Sequence, residues 1–396
     1  MEKRKKYKVL WLHPHFLNWM GGHRYIYEVI RRLGSKYNCD TVLYSGAMSS
    51  FARNEFTEAG IKFKTFLGFS TNNPFYWLLI PFFLRIEKWY LRQEATNSDV
   101  VISSMFPLNV LANRLSDKTI QLCYEPFAFF HDPNFIAGLS SLRKLFVKII
   151  KPFYNNLDKN QTIKSTKVLT LSNFNKKWIA KVYGRKDVNV VYEGVNTDFF
   201  KPVKVNFLKS KYKDRKIVFH STDFTGIKGT SFLIKALPYI VKEIPKLLLL
   251  ISYTIDNKEE KERMELLAKE LRVTKNIKYL GFVKYDDLPL YAGLAEIAVQ
   301  PSIMQSMSMS VKEAMACETP VITSPEGKEQ FKDGEAGFLV DPKNETKLAE
   351  KVIELLSNKS LRMDMGKRGR KIVIDKFSWE SVAERFYTNI RKVANE

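Results

Sequence analysis

Residues 297–323 read IAVQPSIMQSMSMSVKEAMACETPVIT. The apolar run Ile297–Val299 stops just before Pro301, and a turn rich in Ser and Met follows. Residues 308–316 then show helical spacing, and Pro320–Thr323 is a second short apolar run. Strand, turn, helix and strand in that order make the repeating unit of a parallel sheet. A parallel return needs a crossover, and a helix supplies it.

The same alternation extends in both directions. Upstream, strands are expected at Ile217–His220, Leu247–Ser252 and Ile277–Leu280, with helices near 230–242, 258–271 and 286–293; a further helix falls near 345–356. The N-terminal half repeats the pattern, with strands at 8–12, 39–44, 100–102, 119–123, 168–171 and 188–192 and a first helix over His23–Leu33. A polar, Lys-rich stretch at 203–216 separates the two series and reads as the link. The chain has 396 residues, 45% of them hydrophobic, which is too much for one ordinary core and enough for two. The expected fold class is α/β, with two doubly wound parallel sheets.

Composition removes several alternatives. The three cysteines, Cys39, Cys123 and Cys317, have no metal-type or disulfide-scaffold spacing, and a reducing compartment is the simpler expectation. The N-terminus MEKRKKYK resembles the charged start of a signal peptide, but His13 and Pro14 break the apolar run behind it. The longest uncharged apolar run, PFYWLLIPFFL at 74–84, is about half of the ~20 residues a spanning helix needs. Net charge is +22 and uneven: residues 1–190 carry 29 basic and 13 acidic side chains, residues 191–396 carry 35 and 29. A basic first half suits an anionic partner. No nucleic-acid-binding module or stacking motif accompanies it, so nucleic acid is not the expected partner.

Several stretches, in order, resemble the retaining glycosyltransferases of family 4. They are 171–202 (LSNFNKKWIAKVYGRKDVNVVYEGVNTDFFKP), Tyr279–Val283, Asp287–Ala292, Gln300–Ser302, Lys312–Ile322 and Gly334–Pro342. The resemblance covers essentially the whole chain. It implies the GT-B fold: two Rossmann-like domains facing across a cleft, with a C-terminal helix crossing back to the first. It places an acceptor-binding domain at 1–195, joined by 379–396, and a nucleotide-sugar donor-binding domain at 206–378. Trp379 would mark the crossover.

The resemblance also assigns residues. Glu313, the second acid of the family's Glu-x7-Glu motif, would accept hydrogen bonds from the donor ribose diol. The first acid falls on Gln305, which can hydrogen-bond the donor sugar but brings no charge. The family's Gly-Phe-Gly is here Ser306-Met307-Ser308, leading through Met309 into the helix of Glu313. Backbone N–H groups at a helix start suit the diphosphate. Lys228 matches the family lysine that neutralises the diphosphate, but the partner arginine is absent, with Thr222 or Asp223 in its place. Gly21 and Gly22 resemble the N-domain loop that approaches the donor phosphate, and His23 beside them reads as a surface histidine. Tyr124 stands where the family has a His, before Glu125. Tyr124 either touches the donor sugar or belongs to the core, and Glu125 could orient the acceptor hydroxyl. No Asp-x-Asp occurs, which fits the metal independence that the resemblance implies; it implies no cofactor besides the nucleotide-sugar substrate.

The expected acceptor is a lipid-linked glycan used at the cytoplasmic membrane face, with an anionic membrane surface as partner. Residues 74–84 with Arg85, Lys88 and Trp89 suit an interface. Residues 142–157 place apolar side chains at helical spacing opposite Arg143, Lys144, Lys148 and Lys151. Either segment could instead be an ordinary helix packed on the sheet. Gln305, Tyr124 and the missing arginine keep open a catalytically weak GT-B protein acting as a sugar-binding or partner subunit.

Overall fold

The first strand, β1 (Tyr7–Phe16), runs four residues beyond the apolar stretch that announces it. From Val9 to Leu12 it is paired on both sides; beyond Leu12 only its partner β2 (Cys39–Met48) continues. Pro14 lies in that one-sided part, where a missing N–H costs least. Val9 and Trp11 face one core and Leu10 and Leu12 the other, so β1 is buried on both faces, as parallel sheets are. This computed structural model describes residues 5–66, 74–253, 257–303 and 307–396.

Two units divide the chain. The first comprises Met1–Gly194 with Trp379–Glu396, and the second Val195–Ser378. Among the described residues of the first unit, seven parallel strands lie in the order β3-β2-β1-β4-β5-β6-β7. The others are β3 (Lys62–Thr65), β4 (Val100–Ser103), β5 (Thr119–Leu122), β6 (Lys167–Thr170) and β7 (Val188–Val190). One face is covered by the first helix, Gly21–Tyr37, and by the C-terminal helix, Trp379–Asn395. Trp11 stacks on Phe386 with ring centroids 5.5 Å apart, and its indole N–H donates to Ser104 Oγ at 2.8 Å. Gly194 makes room for this helix. A Cβ there would stand 2.3 Å from the Trp379 ring. The other face carries Tyr76, Trp77, Ile80, Phe83, Phe130 and Ile150.

The apolar run at 74–84 is therefore neither wholly buried nor wholly exposed. It breaks at Leu79 into the helices Pro74–Leu78 and Ile80–Thr96, and its side chains divide between core and solvent. The helix expected at 142–157 spans Ser141–Lys164. The short helix Ser50–Glu58 and the edge strand β3 were not evident in the sequence pattern.

In the second unit, six described strands lie in the order β10-β9-β8-β11-β12-β13, also parallel. They are β8 (Lys216–Thr222), β9 (Leu247–Tyr253), β10 (Ile277–Gly281), β11 (Ile297–Gln300), β12 (Val321–Thr323) and β13 (Gly337–Leu339). Residues 203–216 pack on this unit: Val205 and Tyr212 are buried with Ile217, Phe219 and Leu294. In each sheet the order reverses beside the first strand, between β1 and β4 and between β8 and β11. Such a reversal opens a crevice at the carboxyl ends of the strands, where open α/β sheets bind ligands.

Candidate active site

The crevice of the second unit lies beyond β8 and β11. After β8 the chain turns through Gly226–Lys228 to Gly229, whose φ of +72° is the left-handed region that favours glycine. A Cβ on Gly229 would stand 1.9 Å from the Pro301 carbonyl oxygen, on the loop after β11. The two loops are also tied by hydrogen bonds: Ile303 N–H and Ser302 Oγ each donate to the Ile227 carbonyl at 2.9 Å. Lys228 is thus carried on a backbone turn fixed against a second loop. Helix Thr230–Glu243 starts immediately behind it.

A buried network holds this turn. His220 Nδ1 lies 2.8 Å from the Val299 carbonyl, which can only accept, so Nδ1 carries the proton. Nε2 then accepts from Thr230 Oγ1 at 3.0 Å, and Thr230 Oγ1 accepts from Thr222 Oγ1 at 2.8 Å. Burial pushes His220 down to about 4, so it is neutral near pH 7. Thr222 is committed to this chain and to Phe224 N–H at 2.9 Å. Asp223 Oδ1 accepts from Thr225 N–H and Oγ1 at 2.9 and 2.6 Å. Neither position supplies the cation that the family's arginine would.

Glu313 is half-buried on the helix Met309–Ala316, which follows β11. Val311, Lys312, Ala314 and Met315 fix that helix in the core. Burial, then the charge of Glu313, pushes the Cys317 thiol up to about 12. Ser308 precedes the helix and is clamped on both sides by the buried Gln330. Its N–H donates to Gln330 Oε1 at 3.3 Å, and its carbonyl accepts from Gln330 Nε2 at 2.7 Å. Met307, Ser308 and Met309 are partly accessible. Gln305 and Ser306 lie outside the described residues.

The crevice of the first unit lies beyond β1 and β4. Gly21 and Gly22 open the first helix, and Tyr124 follows β5. The Tyr124 hydroxyl donates to the Gly22 carbonyl at 3.1 Å, and its ring passes 3.8 Å from where a Gly22 Cβ would stand. Its carbonyl accepts from Asn175 Nδ2 at 2.6 Å. Tyr124 is half-buried, so it is both a packed residue and one with an accessible edge. Burial and Glu193 raise its hydroxyl above the ordinary range. Glu125 is next and more exposed; desolvation and then Asp132 raise its carboxyl.

His23 is not a surface residue. It is buried, and Nδ1 accepts from Met20 N–H at 3.3 Å at the start of the first helix. His13 and His15, from the end of β1, complete a cluster with ring centroids 5.3 to 6.4 Å apart. Burial, then His23 and His15, pushes His13 well below the usual imidazole range, and burial lowers the other two. The sequence signal was the His-Pro-His at the end of the first strand. His131 belongs elsewhere: Nε2 meets Asp158 Oδ2 at 3.0 Å, in a buried set with Tyr183 and Asn109. Among the described residues, no three His, Cys, Asp or Glu side chains are grouped to hold a metal ion. A cavity of about 250 Å³ in this unit is lined by Tyr124, Glu125, Phe106, Phe127, Phe129 and Phe135, among others.

Residues 205–372 match the family described as Glycosyl transferases group 1. The match covers less than half of the chain, so the similarity to group 1 glycosyltransferases is that of this segment. One relative is an uncharacterized glycosyltransferase of Methanocaldococcus jannaschii, 29% identical over 59% of this chain and 62% of its own length. Another is the N-acetyl-alpha-D-glucosaminyl L-malate synthase of Bacillus anthracis, 27% identical over 51% and 53%. A third is the GDP-mannose-dependent monoacylated alpha-(1-6)-phosphatidylinositol monomannoside mannosyltransferase of Corynebacterium glutamicum, 32% identical over 41% and 43%. The chain therefore spans only 43–62% of the length of these curated relatives. Solved structures share the fold over nearly the whole chain. A glycosyltransferase from Rickettsia africae aligns with a TM-score of 0.76 at 20% identity, covering 98% of both chains. The Anabaena protein HepE, solved with UDP, aligns with a TM-score of 0.73 at 15% identity, covering 97% of this chain and all of its own. The group 1 segment is the second unit from Val205 to Ile372, so it contains both the Lys228 turn and the Glu313 helix.

Proposed function

We propose that this protein is a glycosyltransferase that moves a hexosyl unit from a nucleotide-diphosphate sugar to a lipid-linked glycan at the cytoplasmic membrane face, with retention of anomeric configuration. The observation that carries the reading is the Lys228 turn, held against Pro301–Ile303 within the same family-matching segment as the helix of Glu313. In this reading the Lys228 ammonium and the N–H groups at the start of helix Thr230–Glu243 take the diphosphate. Glu313 takes the ribose diol, and Gln305 with Ser306, Met307, Ser308 and Met309 lies along the sugar and diphosphate. Preorganised charge beside a leaving diphosphate is where such an enzyme gains most rate.

The first unit takes the acceptor, with Gly21, Gly22, Tyr124 and Glu125 as its polar contacts. Retention in this family needs no protein nucleophile, and none is assigned. The absence of Asp-x-Asp from the sequence supports a reaction that needs no divalent metal. The lipid-linked acceptor is supported by the basic, aromatic character of the first unit and by the mannosyltransferase relative that acts on a phosphatidylinositol mannoside.

UDP-, GDP- and ADP-sugars, scored by thermal shift and by nucleotide release in EDTA, test the reading. One donor should stabilise the protein and release its nucleotide slowly, and Glu313→Ala should abolish both effects. A second reading, a sugar-binding or partner subunit with little turnover, is favoured by Thr222 and Asp223, whose hydrogen bonds leave no cation in the arginine's place. Stabilisation by a donor without nucleotide release, with acceptor extracts present, would select it.

A further inference from the structure

The first unit leaves large apolar side chains uncovered on three helices that share a core. On Ser141–Lys164, Leu142, Leu145, Ile149 and Phe153 follow one another at steps of three, four and four residues, so they form one stripe. They are not marginal: Leu142 is 82% and Phe153 74% exposed. The core-facing side of the same helix is a different set, with Val147, Ile150 and Asp158 buried. On the neighbouring segment Phe75, Leu78, Leu79 and Phe82 are exposed at the same kind of spacing, and Trp89 further along is 76% exposed. The two helical segments touch: the Tyr154 hydroxyl donates to the Trp77 carbonyl at 2.7 Å, and the Phe146 ring lies 6.4 Å from that of Trp77. Isolated exposed leucines need no explanation, but nine large apolar side chains, eight on three neighbouring helices and Leu79 at the break between two of them, exceed what a soluble surface carries by chance.

Charge says what covers them. Arg143, Lys144 and Lys148 are exposed beside the first stripe, and Arg85, Lys88 and Arg92 beside Trp89. No Asp or Glu occurs between Asp132 and Asp158, or between Glu58 and Glu87. A second copy of the chain would bring like charges together across a two-fold contact. Lysine is also depleted in protein interfaces, whereas apolar stripes bordered by Lys, Arg and Trp match the boundary between acyl chains and anionic headgroups. No helix among the described residues is long and apolar enough to cross a membrane, so the contact would lie in the interface plane.

We propose that the exposed faces of Pro74–Leu78, Ile80–Thr96 and Ser141–Lys164 together form a docking surface for an anionic bilayer. The apolar stripes enter the acyl boundary, and the Lys and Arg side chains meet the headgroups. This deepens the membrane part of the function proposed above, but it rests on exposed side chains and not on the transferase chemistry.

The test is flotation of the full chain with phosphatidylcholine vesicles, with and without phosphatidylglycerol. The protein should float only with the anionic vesicles. Lys144→Ala with Lys148→Ala should lower the partition coefficient roughly 30-fold, since each basic side chain near such a surface contributes about fivefold. Leu145→Asp with Ile149→Asp should abolish flotation. Lys258→Ala with Lys269→Ala, an equal loss of charge in the second unit, should change it little. All three variants substitute exposed positions, and circular dichroism melts should match the parent. Flotation unchanged in the stripe variants, or equal for the control pair, overturns the proposal. So does a concentration-dependent dimer in light scattering that the Asp variants dissolve, which would make a second copy the occupant. Vesicle-free nucleotide release should be untouched in all variants. Failed flotation with intact release therefore counts against the docking surface alone.

Discussion

Both sheets reverse their strand order beside their first strand, yet the two crevices are furnished differently. In the second unit, a glycine turn at φ +72° is locked against another loop and carries one ammonium, Lys228, over a buried neutral His220. In the first unit the glycines are unstrained, the neighbouring groups are three imidazoles and a tyrosine, and an aromatic-lined cavity lies alongside. Topology places a ligand site at both crevices. The side chains make the second a rigid crevice with a cation on its rim and the first a partly apolar crevice lined by imidazole and phenol groups; under the proposed function these would suit the diphosphate and the acceptor.

The largest expected effect tests the ammonium. Lys228→Ala should lower nucleotide release by about 10²–10³-fold, the usual loss of one preorganised charge-stabilising group. Steady-state release with the donor found by thermal shift measures it, and a loss under tenfold would remove the main asymmetry between the crevices. Next comes the turn. Gly229→Ala adds a Cβ on the Pro301 carbonyl in a left-handed conformation, and should destabilise the second unit by about 3 kcal/mol or more in urea melts. Gly22→Ala is the matched change in the first unit. Its Cβ meets only the Tyr124 ring at an ordinary 3.8 Å, so stability should move by less than about 1 kcal/mol.

Acid should sharpen the comparison. A buried imidazole whose folded pKa is depressed contributes stability that is fully present above the unfolded pKa near 6.5, and that is lost as pH falls towards the folded value. For His220, at about 4, the loss between pH 6.5 and 5 is about 2 kcal/mol, and His220→Gln should flatten it. His13, His15 and His23 act in the same direction in the first unit. All six tryptophans, at 11, 19, 77, 89, 178 and 379, belong to the first unit, so indole fluorescence isolates its transition. The fluorescence midpoint should fall on acidification, and His13→Phe should reduce the fall. A midpoint independent of pH between 7 and 5 would show that the imidazoles are not held neutral. The smallest effect is Tyr124→Phe, which removes one hydroxyl bond to Gly22 and should cost about 1 kcal/mol or less by thermal melt.

Much of this was legible in the residues. Leu247–Ser252 and Val100–Ile102 are strands because continuous β-branched and leucine-rich runs between turns fit a sheet buried on both faces. β3 was not legible, because KFKT is a four-residue edge strand with two lysines whose side chains are only partly buried or exposed, so it shows no apolar run. Lys228 stood out by its resemblance to the family lysine, but the lock of the adjoining Gly229 on Pro301 did not, since the two lie 72 residues apart and meet only because β8 and β11 are neighbours. His23 read as a surface residue for the same reason: its burial comes from His13 and Phe16, brought over it by the β1 return.

Local periodicity and turn chemistry were sufficient for the α/β class and the two series of strands; the candidate residues Lys228, Glu313, Gly21, Gly22, Tyr124 and Glu125 came from the resemblance of short motifs to a family. These are properties of short stretches, governed by sterics and apolar spacing within one element. Tertiary structure alone decided which loops touch, which histidines are dry, and which half of each apolar helix remains uncovered. A helix can carry more apolar surface than its core can cover, and only the packed chain settles which stripe is left to meet something else. Leu142, Ile149 and Phe153 are as apolar as Val147 and Ile150, and it is packing that separates them.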